Sequence, residues 1–433
     1  MAEEVIHIDA TKPLVRIAMI LALGLALLGS WFVVRWYIGN TLAEYQNAEE
    51  NGLATVRRAV SLAPSDPLTH WRLGAIAQRQ LSPDQLHQVV GEFEKAASLS
   101  PNDYRFWMAF GTALEQWGEV ERGEKALRRT TDLAPSYAYP RWYLGNLLLR
   151  SGRYDQAFAE LRRAADADPD LRSQLLNLAW AVYNKNLDAF VEAVGNSASA
   201  RAELAAYLLG RQRIEDGILL WQRLNEAEKR ANRAKGEAMV GALVTAKRFH
   251  QAAEVANDLV PAAAYRAGES KFVDGGFEDD LIPQTGAVFG WQVKSLHQAQ
   301  VGIDPDRGNN SSRSLRIVFQ VPSRLDSMSV AQLVPVRPDT QYDFECFVRS
   351  QDLQSASTPR IEIIDATEGQ GVIASDQAPT GSTDWQRIAF GFKTGAKTEA
   401  VTVKIIRTSC PEDPVCPIFG TVWYDDFNLK RRS

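Results

Sequence analysis

Two cysteines, five histidines and two pairs of adjacent aspartates are the residues of this chain with the most chemistry to offer. Cys410 and Cys416 flank Pro-Glu-Asp-Pro-Val. They either close a local disulfide in an oxidising compartment or stay two thiols in a loop. Cys346 sits in a strand-like run and reads as a small core residue. Three cysteines give no zinc spacing. His7 precedes an apolar run, and His70, His87 and His250 fall in helical segments; His297 is the fifth. Asp279-Asp280 and Asp425-Asp426 are neighbours, and neighbouring strand residues point to opposite faces. They are poor candidates for the opposed carboxylates of a glycosidase. Phosphate loops, nucleophile elbows and metal-protease helices are missing from the sequence. The expectation is a chain that binds and does not catalyse.

The 433 residues suggest two or three domains, and 45% apolar residues allow large cores. A net charge of −5 argues against nucleic acid as the main partner, because phosphate binding needs a basic surface. Residues 1–13 are a polar lead, read as a cytoplasmic tail. Residues 17–34 carry no charge, which reaches the length of a transmembrane helix. Arg16 and Arg35 bracket the run, and Trp31, Trp36 and Tyr37 cluster at one end as an interfacial belt. A cleaved signal peptide competes with this reading. The long polar lead, and bulky Trp31-Phe32-Val33-Val34 where cleavage would fall, favour an uncleaved anchor over 14–38. Lys12 and Arg16 precede the span and only Arg35 follows it closely, which favours the N-terminus inside and the bulk of the chain outside.

The rest must be positioned by two kinds of element. Gly111 and Gly145, Leu114 and Leu148, Gly118 and Gly152, Leu127 and Leu161, and Pro135 and Pro169 are each 34 apart. A period of 34 with an early aromatic, Leu-Gly or Phe-Gly, a mid-repeat Gly and a closing Pro resembles the tetratricopeptide repeat. The resemblance implies stacked antiparallel helix pairs. Proline closes each second helix, having no N–H to donate. His70-Trp71-Arg72-Leu73-Gly74 opens an earlier unit. The step from Pro64 to Pro101 is 37, so that unit holds a three-residue insertion, placed in 81–85. The array spans 41–260, clearest over 68–169 and degenerate over 170–260, where 171–184, 187–194, 200–209, 214–224, 231–246 and 249–260 keep helical spacing. A separate bundle after 169 is the alternative. Such arrays are protein-binding scaffolds. By repeat register the groove would present Arg72, Gln78, Arg79, Arg105, Glu115, Gln116, Trp142, Asn146 and Arg150. Four arginines suit an acidic or carboxylate-ended peptide; a solvated charged face is the bland alternative.

Composition changes over 261–271, read as a linker, and residues 272–431 read as strands. Leu315, Ile317 and Phe319 alternate, as do Tyr342, Phe344, Cys346 and Val348, then Ile388, Phe390 and Phe392, then Val401, Val403 and Ile405. Many short strands argue an all-β jelly-roll sandwich. Gly275-Gly276-Phe277-Glu278, Gly290-Trp291, Ser314-Leu315-Arg316-Ile317, Pro338-Asp339-Thr340-Gln341-Tyr342, Asp384-Trp385 and Trp423-Tyr424-Asp425-Asp426-Phe427 follow in that order. The order resembles carbohydrate-binding modules of the family 4/9 type, within the galactose-binding-like sandwiches. The resemblance implies a glycan groove on one sheet, for which Arg316, Gln332, Glu345, Phe347, Arg349 and Glu362 are the candidates. Trp291, Trp385 and Trp423 fall where the family packs its core. It also implies a structural calcium between first and last strands, held by Glu278 and Asp426, since calcium takes hard oxygen ligands. Two merely solvated carboxylates are the alternative.

The expected fold is thus multidomain: a transmembrane helix, a helical repeat solenoid and a β-sandwich. The expected function is a single-pass extracytoplasmic scaffold in a bacterial inner membrane. Its repeats would bind protein and its sandwich a polysaccharide, in exopolysaccharide or envelope assembly. A structural subunit of a membrane complex, whose sandwich makes only protein contacts, is the rival reading.

Overall fold

The computed structural model describes residues 12–45, 52–80, 86–261, 266–281, 288–295, 299–319, 328–408, 410 and 416–432. Most of the expected tail, His7, His297, the insertion at 81–85, part of the expected linker and the segment between the two cysteines lie outside the described residues. The chain divides into two compact units, 1–195 and 196–433.

The first unit is helical. Its elements are α1 (Pro13–Glu44), α2 (Gly52–Leu62), α3 (Pro67–Gln80), α4 (Leu86–Leu99), α5 (Tyr104–Trp117), α6 (Val120–Leu133), α7 (Ala138–Arg150), α8 (Tyr154–Ala167), α9 (Arg172–Tyr183) and α10 (Leu187–Val194). Helices α3 to α8 are three antiparallel pairs, and each pair closes around a glycine. A Cβ on Gly111 would lie 2.8 Å from Leu127 Cγ, and one on Gly145 would lie 2.7 Å from Leu161 Cγ. Leu127 and Leu161 are wholly buried. Neighbouring pairs share the core: Phe93 of α4 packs with Phe106 and Phe110 of α5.

The turns between pairs are held by one geometry built from three chemistries. His70 Nε2 meets the carbonyl of Pro64 at 2.9 Å, Trp107 Nε1 donates to Pro101 at 2.9 Å, and Arg141 Nε donates to Pro135 at 3.3 Å. Each donor is six residues past its proline, at the same place in its repeat. His70 Nδ1 is also 2.6 Å from Glu92, and Arg141 is 2.8 Å from Glu160. At the equivalent place beside Trp107 stands Ala126. A charged donor comes with a glutamate, and the neutral one comes with an alanine.

With both ring nitrogens facing acceptors, the site favours the imidazolium form of His70. The hydrogen bond to Glu92 raises its pKa, against burial, and the same bond lowers that of Glu92. A raised histidine stabilises fully below its unfolded pKa of about 6.5, and the gain is lost as pH rises through the folded value. The lowered glutamate acts above its unfolded value and is lost as pH falls through the folded one. The first unit therefore melts lower at about pH 9 than at about pH 6, and His70→Gln removes most of that difference. A gap of the same size in the variant would show that the pair is not its source.

The second unit opens with α11 (Ala198–Gly210), α12 (Ile214–Gln222), α13 (Glu226–Ala231), α14 (Arg233–Thr245) and α15 (Phe249–Asp258). Strands follow as β1 (Gln292–Ser295), β2 (Ala299–Asp304), β3 (Ser314–Phe319), β4 (Met328–Pro335), β5 (Gln341–Gln354), β6 (Arg360–Asp365), β7 (Gly371–Gln377), β8 (Gly381–Lys393), β9 (Ala400–Ile406) and β10 (Phe419–Arg431). They form two five-stranded sheets, β1-β4-β9-β6-β7 and β2-β3-β10-β5-β8, with antiparallel pairings throughout. Alternation sets the layers: Val330, Ile363 and Val403 of one sheet and Ile317, Phe344 and Tyr424 of the other point inward and share one core.

The helices and the sandwich belong to the same unit, although the sequence places a linker between them. His250 Nε2 lies 3.0 Å from the carbonyl of Val336, and Lys247 reaches the carbonyl of Thr367. Asn257 exchanges two hydrogen bonds, 2.7 and 2.9 Å, with the backbone of Ala267. Composition changes near 261, but cohesion does not.

Candidate functional site

The groove residues divide by what they already hold. Arg72 donates to the carbonyls of Ala43 and Glu44, both at 3.0 Å, and so ends α1 instead of lining a groove. Arg105 forks onto Asp103, the N-cap of its own helix, at 2.6 and 3.0 Å. That bond raises the arginine's pKa and lowers the aspartate's. Arg150 forks onto Glu115 at 2.6 and 2.8 Å, and Gln78 meets Gln116 at 2.5 Å. These two contacts tie the C-terminal ends of α3, α5 and α7 into a ladder. Asn146 bonds back to Trp142 in its own helix, and Arg79 is exposed. Three of the four arginines expected to grip a carboxylate are therefore engaged internally. What the row of first helices keeps open is softer: Trp71, Met108 and Trp142 share one register and are half-buried. The repeat spacing that places Trp142 in the groove places Trp71 and Met108 there too, 37 and 34 residues apart in turn.

The expected glycan residues fall on two different sheets. Arg316 on β3 and Glu345, Phe347 and Arg349 on β5 share the outer face of β2-β3-β10-β5-β8. Register sets Trp423 between Arg316 and Arg349. Its indole donates to Asp304 at 2.8 Å, and the Arg307 guanidinium covers the ring at 5.0 Å. Arg349 bonds Asp384 at 3.0 Å, while its Nε is buried without a partner among the described residues. Glu345 is held by Arg387 at 2.8 Å and Asn428 at 2.9 Å, which lowers its pKa. Glu362 is on the other sheet, beside Lys404, and cannot share this face. Gln332 is 1% exposed and points inward with Val330 and Val334. It clamps Val273 by N–H and carbonyl, both at 2.8 Å. Both residues leave the proposed groove.

The carboxylates come together more than the sequence implies. A Cβ built on Gly276 would lie 3.7 Å from Glu278 Oε1, 3.8 Å from Asp426 Oδ1 and 3.9 Å from Asp425 Oδ1. The adjacent aspartates do not point apart, because β10 carries a register shift between Asp425 and Asn428 and Asp426 has φ 53°. Asp425 accepts from the backbone N–H of Asn309 and of Asp426, both at 2.7 Å; Asp426 accepts from Asn309 Nδ2 at 2.8 Å and Asn310 Nδ2 at 2.6 Å. Burial pushes the Asp425 carboxyl up to about 6, with Asp426 and Glu278 adding to the effect. No group of three or more such residues among the described ones forms a ready-made metal cluster. The donor set still suits a hard cation: anionic oxygens beside a glycine that leaves room.

Cys410 and Cys416 form a disulfide, with Cα atoms 5.3 Å apart. Buried Arg407 braces it, donating to the carbonyl of Cys416 at 2.6 Å and of Ser357 at 3.2 Å. Cys346 is a buried free thiol.

Comparison with known proteins agrees with the helical part. The tetratricopeptide repeat model matches residues 143–171. Superkiller protein 3 of Schizosaccharomyces pombe is 25% identical over 92 residues, which are 21% of this chain and 7% of that protein. Among solved structures, YrrB, a TPR protein with an unusual peptide-binding site, is 18% identical with a TM-score of 0.30, covering 37% of this chain and 84% of its own. A CBM4 structure is 14% identical with a TM-score of 0.29, covering 37% of this chain and 100% of its own. The helices and sheets described above carry the fold by themselves.

Proposed function

We propose that this chain is a membrane-anchored, extracytoplasmic, non-catalytic binding scaffold, with repeats that hold a protein partner and a jelly-roll sandwich that holds a glycan. An exopolysaccharide or envelope assembly role in a bacterial inner membrane fits that reading. The observation that carries it is α1. Its apolar stretch is uncovered, with Leu21 63% and Leu25 69% exposed, and the same helix continues to Glu44, past its contacts with α2 at Arg35 and Gly39. Arg35 and Gly39, on which α2 rests, follow the apolar stretch in the same helix, and cleavage at 31–34 would leave them at a new chain end. The chain therefore stays with membranes after an alkaline wash and keeps residue 14. A soluble mature form beginning after residue 30 would overturn the anchor, and glycan turnover by the intact chain would overturn the non-catalytic role.

The sandwich has a second reading, protein contact alone, favoured by the cover of Arg307 over Trp423. Binding of the full chain to a glycan array separates the two. Glycan capture that Arg349→Ala or Phe347→Ala weakens supports the first, and no capture supports the second. In the first reading Glu278, Asp425 and Asp426 hold calcium and tie the entry of the sandwich to β10. A ligand bound only by the folded state adds about 2.7 kcal/mol at a hundredfold excess over its dissociation constant. Millimolar calcium should raise the melting temperature of the second unit more than magnesium does, and Asp426→Asn should lose most of the gain. Equal melting in calcium and in chelator disposes of the metal.

A further inference from the structure

Helix α1 meets the repeats without slack. A Cβ on Gly39 would lie 2.8 Å from Ala63 Cβ and 2.9 Å from the carbonyl oxygen of Ala59. One turn earlier, Arg35 donates to Ser61 at 2.7 Å and Leu62 at 3.2 Å, carbonyls left free at the end of α2. Asn40 bonds Asp66 at 2.8 Å. Only about 7 Å of helix separate Val34, the end of the uncharged run, from Gly39. The end of α2 thus points back along α1 toward the apolar run.

Helices α4, α6 and α8 run in the direction of α2, so the turns at 63–66, 100–103 and 134–137 share that edge. Each closes with the same 3.2 Å bond, from Asp66 to Ala63, Asp103 to Ser100 and Tyr137 to Ala134. The carboxylates here are engaged: buried Asp66 accepts from Leu68 and Asn40, and Asp103 accepts from Arg105. What faces outward is proline, serine, asparagine and tyrosine. Tyr137 is 58% and Tyr139 54% exposed, and the Tyr137 ring lies 5.3 Å from that of Tyr104. One turn in from the edge stands a row of exposed cations. Arg58, Lys95, Arg129 and Arg163 are each four residues before the end of α2, α4, α6 and α8. Arg58 and Arg129 have no ion-pair partner among the described residues.

We propose that this edge of the array lies on the bilayer that α1 enters. Tyr104, Tyr137 and Tyr139 sit in the headgroup layer, and the row Arg58, Lys95, Arg129, Arg163 binds the phosphates of anionic lipids. The inference rests on the reading of α1 as an anchor. Cations near helix C-termini also complement the helix dipole, and a lipid-free melting measurement reads that effect separately.

The test uses the full chain in vesicles of phosphatidylcholine with and without phosphatidylglycerol, carrying a lipid-borne quencher. Cys346 is buried and the other two cysteines are joined, so an introduced cysteine takes a fluorophore alone. With phosphatidylglycerol, labels at Gly29→Cys and Ser136→Cys are quenched, and one at Glu119→Cys, in the turn at the opposite edge, is not. Replacing the four cations with glutamine, or omitting phosphatidylglycerol, cuts quenching at Ser136→Cys at least about threefold and leaves Gly29→Cys unchanged. The same replacement lowers lipid-free melting only by what the lost helix-end charges and the ion pairs of Lys95 and Arg163 contribute, and the chain stays folded. If Gly29→Cys is quenched but Ser136→Cys is no more quenched than Glu119→Cys, the edge does not touch lipid. If the replaced chain quenches like the parent, the cation row has no lipid role. An unquenched Gly29→Cys overturns the anchor itself.

Discussion

Gly145→Leu should destabilise the first unit by about 3 kcal/mol, at the upper end of what overpacking a core costs. A single Cβ at this position already falls 2.7 Å from Leu161 Cγ, 2.9 Å from its Cδ2 and 3.1 Å from the carbonyl oxygen of Ala157. Leu161 has no exposed side into which to retreat, and the backbone oxygen cannot move without breaking α8. The rest of a leucine must then separate α7 from α8. Because stacked repeats share their cores, neighbouring pairs lose stability too. Denaturant unfolding of the full chain reads the cost. The cause is checked with Gly145→Ala and Leu161→Ala, alone and together. The double variant should be less destabilised than the sum of the singles, by a coupling of about 1 kcal/mol or more. Additive effects would mean that the glycine serves the backbone and not the helix contact.

Trp221→Ala should cost the second unit about 3–5 kcal/mol, the usual range for deleting a buried large aromatic. Trp221 is 1% exposed, its ring fills the space a Cβ on Gly236 of α14 would take, 2.8 Å from Cη2, and its Nε1 donates to Asp258 on α15 at 2.9 Å. It therefore links three helices. Since α15 is bonded to the sandwich through His250, and to the segment leading into it through Asn257, the loss should appear in sandwich and helices together, as one transition. Trp221→Phe, which keeps an aromatic ring but drops the hydrogen bond and the part of the indole over Gly236, should cost less than the alanine, about 1–3 kcal/mol. A sandwich that melts unchanged while α11 to α15 unfold would place the boundary back near 261–271.

The parts that were legible in the sequence are those with a period. Gly111, Gly145, Pro135 and Pro169 repeat at 34 and do define helix pairs. The alternation of Tyr342, Phe344, Cys346 and Val348 does mark one buried face of β5. Gln332 was legible too, since it alternates with Val330 and Val334 on the core side; its polarity misdirected the reading outward. Asp425 was not legible. The rule that strand neighbours point apart holds for regular strands, and the irregularity after Asp425 cannot be seen in the residue types around it. Glu362 was assigned by its outward phase, which says which side of a sheet a residue faces but not which sheet. The three engaged arginines share a simpler cause. Repeat register locates a side chain on a helix but not its partner, which comes from a neighbouring repeat for Arg150, from α1 for Arg72 and from the N-cap of its own helix for Arg105.

The exchange of His70, Trp107 and Arg141 at one place in the repeat has a consequence for how such arrays change over time. A lineage altering only the donor would strand a glutamate, or leave a cation facing an alanine, so the donor and the residue opposite it travel as a pair. Once they do, the unit is interchangeable: the turn cannot tell which pair supplies its N–H. Repeats can then drift apart in spelling while stacking in the same way, which is how an array of this kind hides most of its copies from comparison by residue identity.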